Sequence, residues 1–199
     1  EAVESEPMPV PVREVWVYGD VALGLDPLER LDVYVTKDLL MRGDGDEDTR
    51  EAFRESHGVR GVGSSVSAAW AREYPEHLHA NDAGYAAPER CLAAHLVGED
   101  EPIHLEVCNA SFDDNVTQRL RGALDREAYG EVLDPRAVCL WVEGTRADDA
   151  LAKLRGGELA FPTLPAALEM LGVDEDEAED EAAVVRDRRG GQETASVRG

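Results

Sequence analysis

At 199 residues and 43% hydrophobic content, the chain can form one domain with its own core plus tails, or two very small domains. Its 43 acidic against 20 basic residues give a formal charge of −23, which argues against a broad nucleic-acid-binding face, because phosphates require clustered cations. No apolar run nears the roughly 20 residues that cross a bilayer, and no signal peptide of charged, apolar and small residues is present, so a cytoplasmic protein without a membrane segment is expected.

The sequence opens at Glu1 with no methionine, which leaves room for an upstream stretch. Residues 1–12 are polar and carry Pro7, Pro9 and Pro11, which suits an extended lead-in. Val12–Tyr18 alternates around Val15 and Val17 and predicts a first strand; Leu31, Val33 and Val35 predict a second over Leu31–Thr36. Trp16 and Tyr18 fall on the other face of the first strand, which must be covered by helices or by a partner. Arg42–Asp48 reads as a loop and Thr49–Ser56 as a short helix. The glycine-rich run His57–Ser65 leads to a helix carrying Val66, Ala69 and Trp70, capped by Ser64 or Ser65.

Pro75–Pro88 is irregular, and Pro88 suits the first turn of a helix through Cys91, Leu92, His95 and Leu96, closed by Gly98. Ile103–Asn109 alternates as a third strand. Asp113 or Asp114 caps a helix bearing Val116, Leu120, Ala123 and Leu124, which ends near Gly130. Ala137–Glu143 is a fourth strand. Thr145 caps a helix with Ala150, Leu151 and Leu154, closed by Gly156-Gly157. Thr163 caps a last helix with Leu164, Leu168 and Leu171 inward and Gly172 as its stop. From Asp174 the run DEDEAEDE is nearly all charge and is expected to stay disordered.

These elements predict an α+β fold: a lead-in over 1–12, a single domain over 13–173, and an acidic disordered tail over 174–199. The core is a small mixed or antiparallel sheet of about four strands packed with about six helices. The link between the first two strands is too short for a crossover helix, which favours antiparallel pairing there.

Gly19-Asp20 ends the first strand and Asp32-Val33-Tyr34 opens the second. Val15–Val35 resembles the signature of the nucleotidyltransferase superfamily, where a strand ends in Gly-Gly or Gly-Ser, a short helix follows, and the next strand carries Asp-x-Asp or Asp-x-Glu. The resemblance implies a nucleotidyltransferase-like core, with Gly19 letting backbone approach a triphosphate and carboxylates holding two Mg²⁺ ions. Glu106, on the third strand, matches the third carboxylate of that family. Tyr34 stands where the second aspartate belongs, and a phenol is a poor Mg²⁺ ligand at neutral pH. Asp20 replaces the small residue of the turn; it would repel incoming phosphates or else supply the missing ligand. The segment GDVALGLDPLERLDVYVTKD is also similar to a stretch found in a group of uncharacterised haloarchaeal proteins.

Other patterns carry less chemistry. Gly58, Arg60, Gly61 and Gly63 could cradle an anion through backbone amides, although no Walker lysine follows. Cys91, His95, His104 and Cys108 supply four zinc-type ligands without a CxxC pair; core thiols and surface histidines are the simpler reading. His77 and His79, with Glu76 and Asp82, lie in a polar loop. Ser64, Ser65 and Cys108 show no spacing that implies a triad. With Cys139, the cysteines read as buried free thiols of a reducing compartment.

The expected function is that of a halophilic cytoplasmic module that binds a protein partner or a nucleotide, with a degenerate metal site. The competing expectation is an active Mg²⁺-dependent nucleotidyltransferase using an NTP, with Asp20, Asp32 and Glu106 as metal ligands. Of the basic residues only Lys37 and Lys153 are lysines. Abundant carboxylates, scarce lysine and retained arginine suit a high-salt interior, where the Debye length falls to about 3 Å and acidic repulsion is screened. Dilution below roughly 0.5 M KCl is therefore expected to unfold the domain. A melting temperature that does not change between low and molar KCl would contradict this.

Overall fold

The computed structural model describes residues 12–24, 30–37, 59–60, 67–68, 87, 90, 92, 96–97, 101–189 and 196–198. Period-two alternation of β-branched and aromatic residues builds the four long strands, β1 (Val12–Tyr18), β2 (Leu31–Lys37), β5 (Ile103–Cys108) and β6 (Ala137–Val142). Each falls within a residue of its sequence-based bounds. Short strands complete the set: β3 (Val59–Arg60), β4 (Ser67–Ala68), β7 (Thr145–Arg146) and β8 (Ser196–Arg198).

The main sheet runs β7-β6-β1-β2-β5-β8 and is mixed. β1 pairs antiparallel with both β2 and β6, while β5 runs parallel to β2 and to β8. The short β1–β2 link permits the antiparallel neighbour, and the long stretch between β2 and β5 permits the parallel one. β3 and β4 pair antiparallel in a separate ribbon. That pairing corrects the helix expected from Ser64 or Ser65: two extended pieces flanking residues 61–66 are near enough in sequence to pair directly. Arg90, Leu92 and Leu96 are helical, as expected, and Leu92 is buried. The helix expected over 49–56 and the irregular Pro75–Pro88 lie outside the described residues, save Ala87.

Helix α1 (Phe112–Arg126) is capped by Ser111 and not by Asp113 or Asp114. The Ser111 hydroxyl accepts from the Asp114 amide at 3.2 Å and donates to the Asp114 carboxylate at 2.8 Å. A single 3-10 turn follows at Tyr129–Glu131. Thr145 lies in β7 instead of capping helix α2 (Asp148–Gly156), because β6 and β7 form a hairpin across Glu143-Gly144, both at positive φ. Gly157 closes α2 in the left-handed conformation, as expected. Thr163 caps helix α3 (Leu164–Met170), burying Leu164 and Leu168, whereas Leu171 is largely exposed.

The acidic run from Asp174 is not disordered over Glu175–Arg189; it forms helix α4. Ala178, Ala182 and Val185 recur at helical spacing and pack with Leu164, Leu168, Leu120 and Val173 in one buried cluster. Small residues hidden among carboxylates supply the stripe that a reading of charge alone overlooks.

Two further clusters flank the sheet. On one face Val35, Leu105 and Val107 pack with Leu92 and Val97. On the other, Tyr18 and Tyr34 pack with Phe112 and Val116 of α1 and with Leu133. Trp16 stacks on Phe112 with ring centroids 5.0 Å apart, so α1 supplies the cover this face required. Tyr34 meets the same ring edge-on at 5.3 Å. Phe112→Ala is expected to destabilise the domain by about 3–5 kcal/mol, measured by denaturant unfolding in molar KCl.

Candidate functional site

Alternation places Tyr18, Asp32, Tyr34, His104 and Glu106 on the sheet face beneath α1. Register then brings them together: Asp32 lies opposite Tyr18 on β1 and His104 on β5, and Tyr34 lies opposite Glu106. Asp32 is 1% exposed and Glu106 3% exposed, so two carboxylates sit on a covered face. Such charges persist only with close counter-charges.

Arginines supply them. Arg30, two residues before Asp32, places Nη2 at 2.7 Å from Asp32 Oδ1. Arg119, from α1, pairs through Nη1 with Glu106 Oε2, and its Nε donates to the Glu131 carbonyl at 2.7 Å. His104 Nε2 lies 3.1 Å from the second Glu106 oxygen. The buried Tyr18 hydroxyl has no hydrogen-bond partner among the described residues. Burial first, then the charges of Glu106 and Asp32, hold its proton well above the ordinary tyrosine range, while Arg119 and Arg30 oppose them. Both ion pairs therefore act on one phenol.

Tyr34, which stands where the resemblance expects a second aspartate, makes two side-chain hydrogen bonds to the chain around α1. Its hydroxyl donates to the Ala110 carbonyl at 2.8 Å and accepts from Asn115 Nδ2 at 3.1 Å, tying β2 to the start of α1. Burial is the main cause that pushes its proton affinity far up. Gly19 has φ +68°, a conformation that favours glycine, and its amide donates to the Arg136 carbonyl at 3.1 Å. Arg136 is itself fixed by a buried bidentate pair with Asp134, at 3.0 and 2.7 Å. The amide that a phosphate would need is thus already engaged within the fold.

The competing reading expects Asp20, Asp32 and Glu106 as metal ligands. Asp20 lies half-buried in the turn after β1, and no group of three or more histidine, cysteine, aspartate or glutamate side chains among the described residues could hold a metal ion. Asp32 and Glu106 share one sheet face, but a guanidinium lies beside one oxygen of each. The residues therefore do not fit a pair of Mg²⁺ ions.

Of the four zinc-type ligands, Cys91 and His95 lie outside the described residues. Cys108 meets Asn115 Nδ2 at 3.5 Å, while His104 faces Glu106. Gly58, Gly61 and Gly63 also lie outside, and Arg60 is placed only as backbone of β3.

Sequence reasoning missed Arg30 and Arg119 as partners of the carboxylates, and Tyr18 as the buried phenol beside them. Arg30 had a legible signal, since i and i+2 share a strand face. Arg119 had none, because only the docking of α1 brings it to β5.

A family model described as a family of unknown function (DUF7095) matches residues 1–199. The comparison with curated proteins finds no match, and neither does the comparison with solved structures.

Arg119→Met is expected to cost about 3–5 kcal/mol by leaving Glu106 buried with its main counter-charge removed. Adding Glu106→Gln should recover part of that loss. Denaturant unfolding of both single variants and the double variant measures the coupling.

Proposed function

The chain belongs to that family of unknown function, and we propose that its domain is a non-catalytic binding module with a nucleotidyltransferase-like strand arrangement. Supporting the likeness, β1 antiparallel to β2 and β2 parallel to β5 bring Gly19, Asp32 and Glu106 to one region of the sheet. The observation that carries the non-catalytic reading is the pairing of each buried carboxylate with its own arginine. Metal-assisted transfer needs carboxylate oxygens open to divalent ions and a path for phosphate. Here the counter-charge is built into the fold, and the Gly19 amide is bonded to Arg136.

A protein partner suits this module better than a nucleotide. With 20 basic against 43 acidic residues the chain offers few cations to a triphosphate, whereas apolar contacts persist when salt screens charge. Met170 is 80% exposed, and Leu171 and Val184 are also exposed, so α3 and α4 present apolar groups to solvent. No helix among the described residues is long and apolar enough to cross a membrane. The acidic composition supports a halophilic, cytoplasmic setting.

The competing reading is Mg²⁺-dependent nucleotidyl transfer. Calorimetric titration with ATP or GTP, with and without Mn²⁺ in molar KCl, separates the two. The module is expected to show no metal-dependent gain in nucleotide affinity. A gain that Asp32→Ala abolishes would establish the enzyme reading instead.

A further inference from the structure

Helix α4 carries an anomaly. Glu181 has no solvent exposure, and neither of its carboxylate oxygens has a hydrogen-bond partner among the described residues. It lies in the same stripe as Ala178, Ala182 and Val185, the residues that dock α4 on Leu164 and Leu168 of α3. An ionised carboxylate held there without a donor would cost several kcal/mol, because burial removes its water and returns nothing.

We propose that docking of α4 is proton-linked: Glu181 enters the core as the neutral acid, and its ionisation releases the helix. Among the described residues, the surrounding groups do not offset a negative charge. One turn back on α4, Glu177 is a second carboxylate, and it accepts from the Tyr129 hydroxyl of the 3-10 turn at 3.1 Å. Tyr129 also feels Glu127, at the end of α1, and Glu181 itself. From α3 the nearest packing groups are apolar, and its one acid, Glu169, is exposed. Arg186, further along α4, turns its Nε to the Ala182 carbonyl at 3.1 Å.

Burial, then Glu177, push the Glu181 carboxyl from an ordinary 4.5 up to about 7. The sign follows from linkage. Below the ordinary value both docked and released helices hold the proton, and docking is strongest. Between the two values only the docked helix holds it, so docking weakens as pH rises. Above about 7 neither form holds it, and the loss is complete. The anchors that remain are two alanines and one valine, which bury little surface against that loss.

Hydrogen exchange of the full chain in molar KCl tests this, read on the amides of residues 175–189 and corrected for the intrinsic pH dependence of exchange. Protection of this segment is expected to fall roughly 70-fold between about pH 5 and about pH 8, relative to the amides of β1 and β2. Glu181→Met and Glu181→Gln should remove that dependence, leaving protection flat with pH. Methionine keeps the length and apolar packing, and glutamine keeps the shape without the charge. Wild-type protection that does not change with pH would overturn the proposal. So would retention of the wild-type slope in either variant.

Discussion

Two carboxylates buried under a helix constrain most of this structure. Asp32 and Glu106 lie on the sheet face covered by α1, and each is matched by a guanidinium. The match is not local decoration. Arg119 comes from α1 and Glu106 from β5, so their pair fixes where the helix sits on the sheet. The same arginine binds the Glu131 carbonyl and so also anchors the turn that follows α1. Removal of either partner would leave a charge in a site with little water to receive it.

The rest of that face is arranged to close around this polar centre. Tyr34 latches β2 to the chain entering α1, and Phe112 fills the space between Trp16, Tyr18 and Tyr34. Glu14 repeats the logic nearer the start of β1: its carboxylate accepts from Thr36 at 2.7 Å and from the Trp16 indole at 3.1 Å. Tyr34, Thr36 and Glu106 on this face are met by partners from neighbouring elements, whereas the Tyr18 hydroxyl has no hydrogen-bond partner among the described residues. A face built this way specifies one helix position more sharply than an apolar face could, since a shifted helix would strand a charge.

The acidic surplus has two different fates. On exposed faces it is a solvated charge whose effect depends on salt. In α4 it is interrupted by Ala178, Ala182 and Val185, which pack the helix on α3. Glu and Ala both favour helix, so local propensity and the thin apolar stripe agree. Glu181 is where they conflict, because it occupies a core position of that stripe.

The four long strands, the helices over α1, α2 and α3, and the antiparallel turn between β1 and β2 were legible in the sequence. Apolar periodicity and short-range turn signals depend only on nearby residues. The candidate acids Asp32 and Glu106 were legible as well, because strand alternation assigns them a face. What the acids do was decided only by tertiary structure. Whether a buried carboxylate faces a metal, a phosphate or an arginine depends on what the packing of distant elements brings within about 3–4 Å. Arg119 arrives from a helix whose docking no local pattern encodes, and Gly19 gives its amide to Arg136 from the far part of the chain. The acidic run shows the same limit in reverse: its composition fixed its charge, but α3 provided the surface that made a folded helix of it.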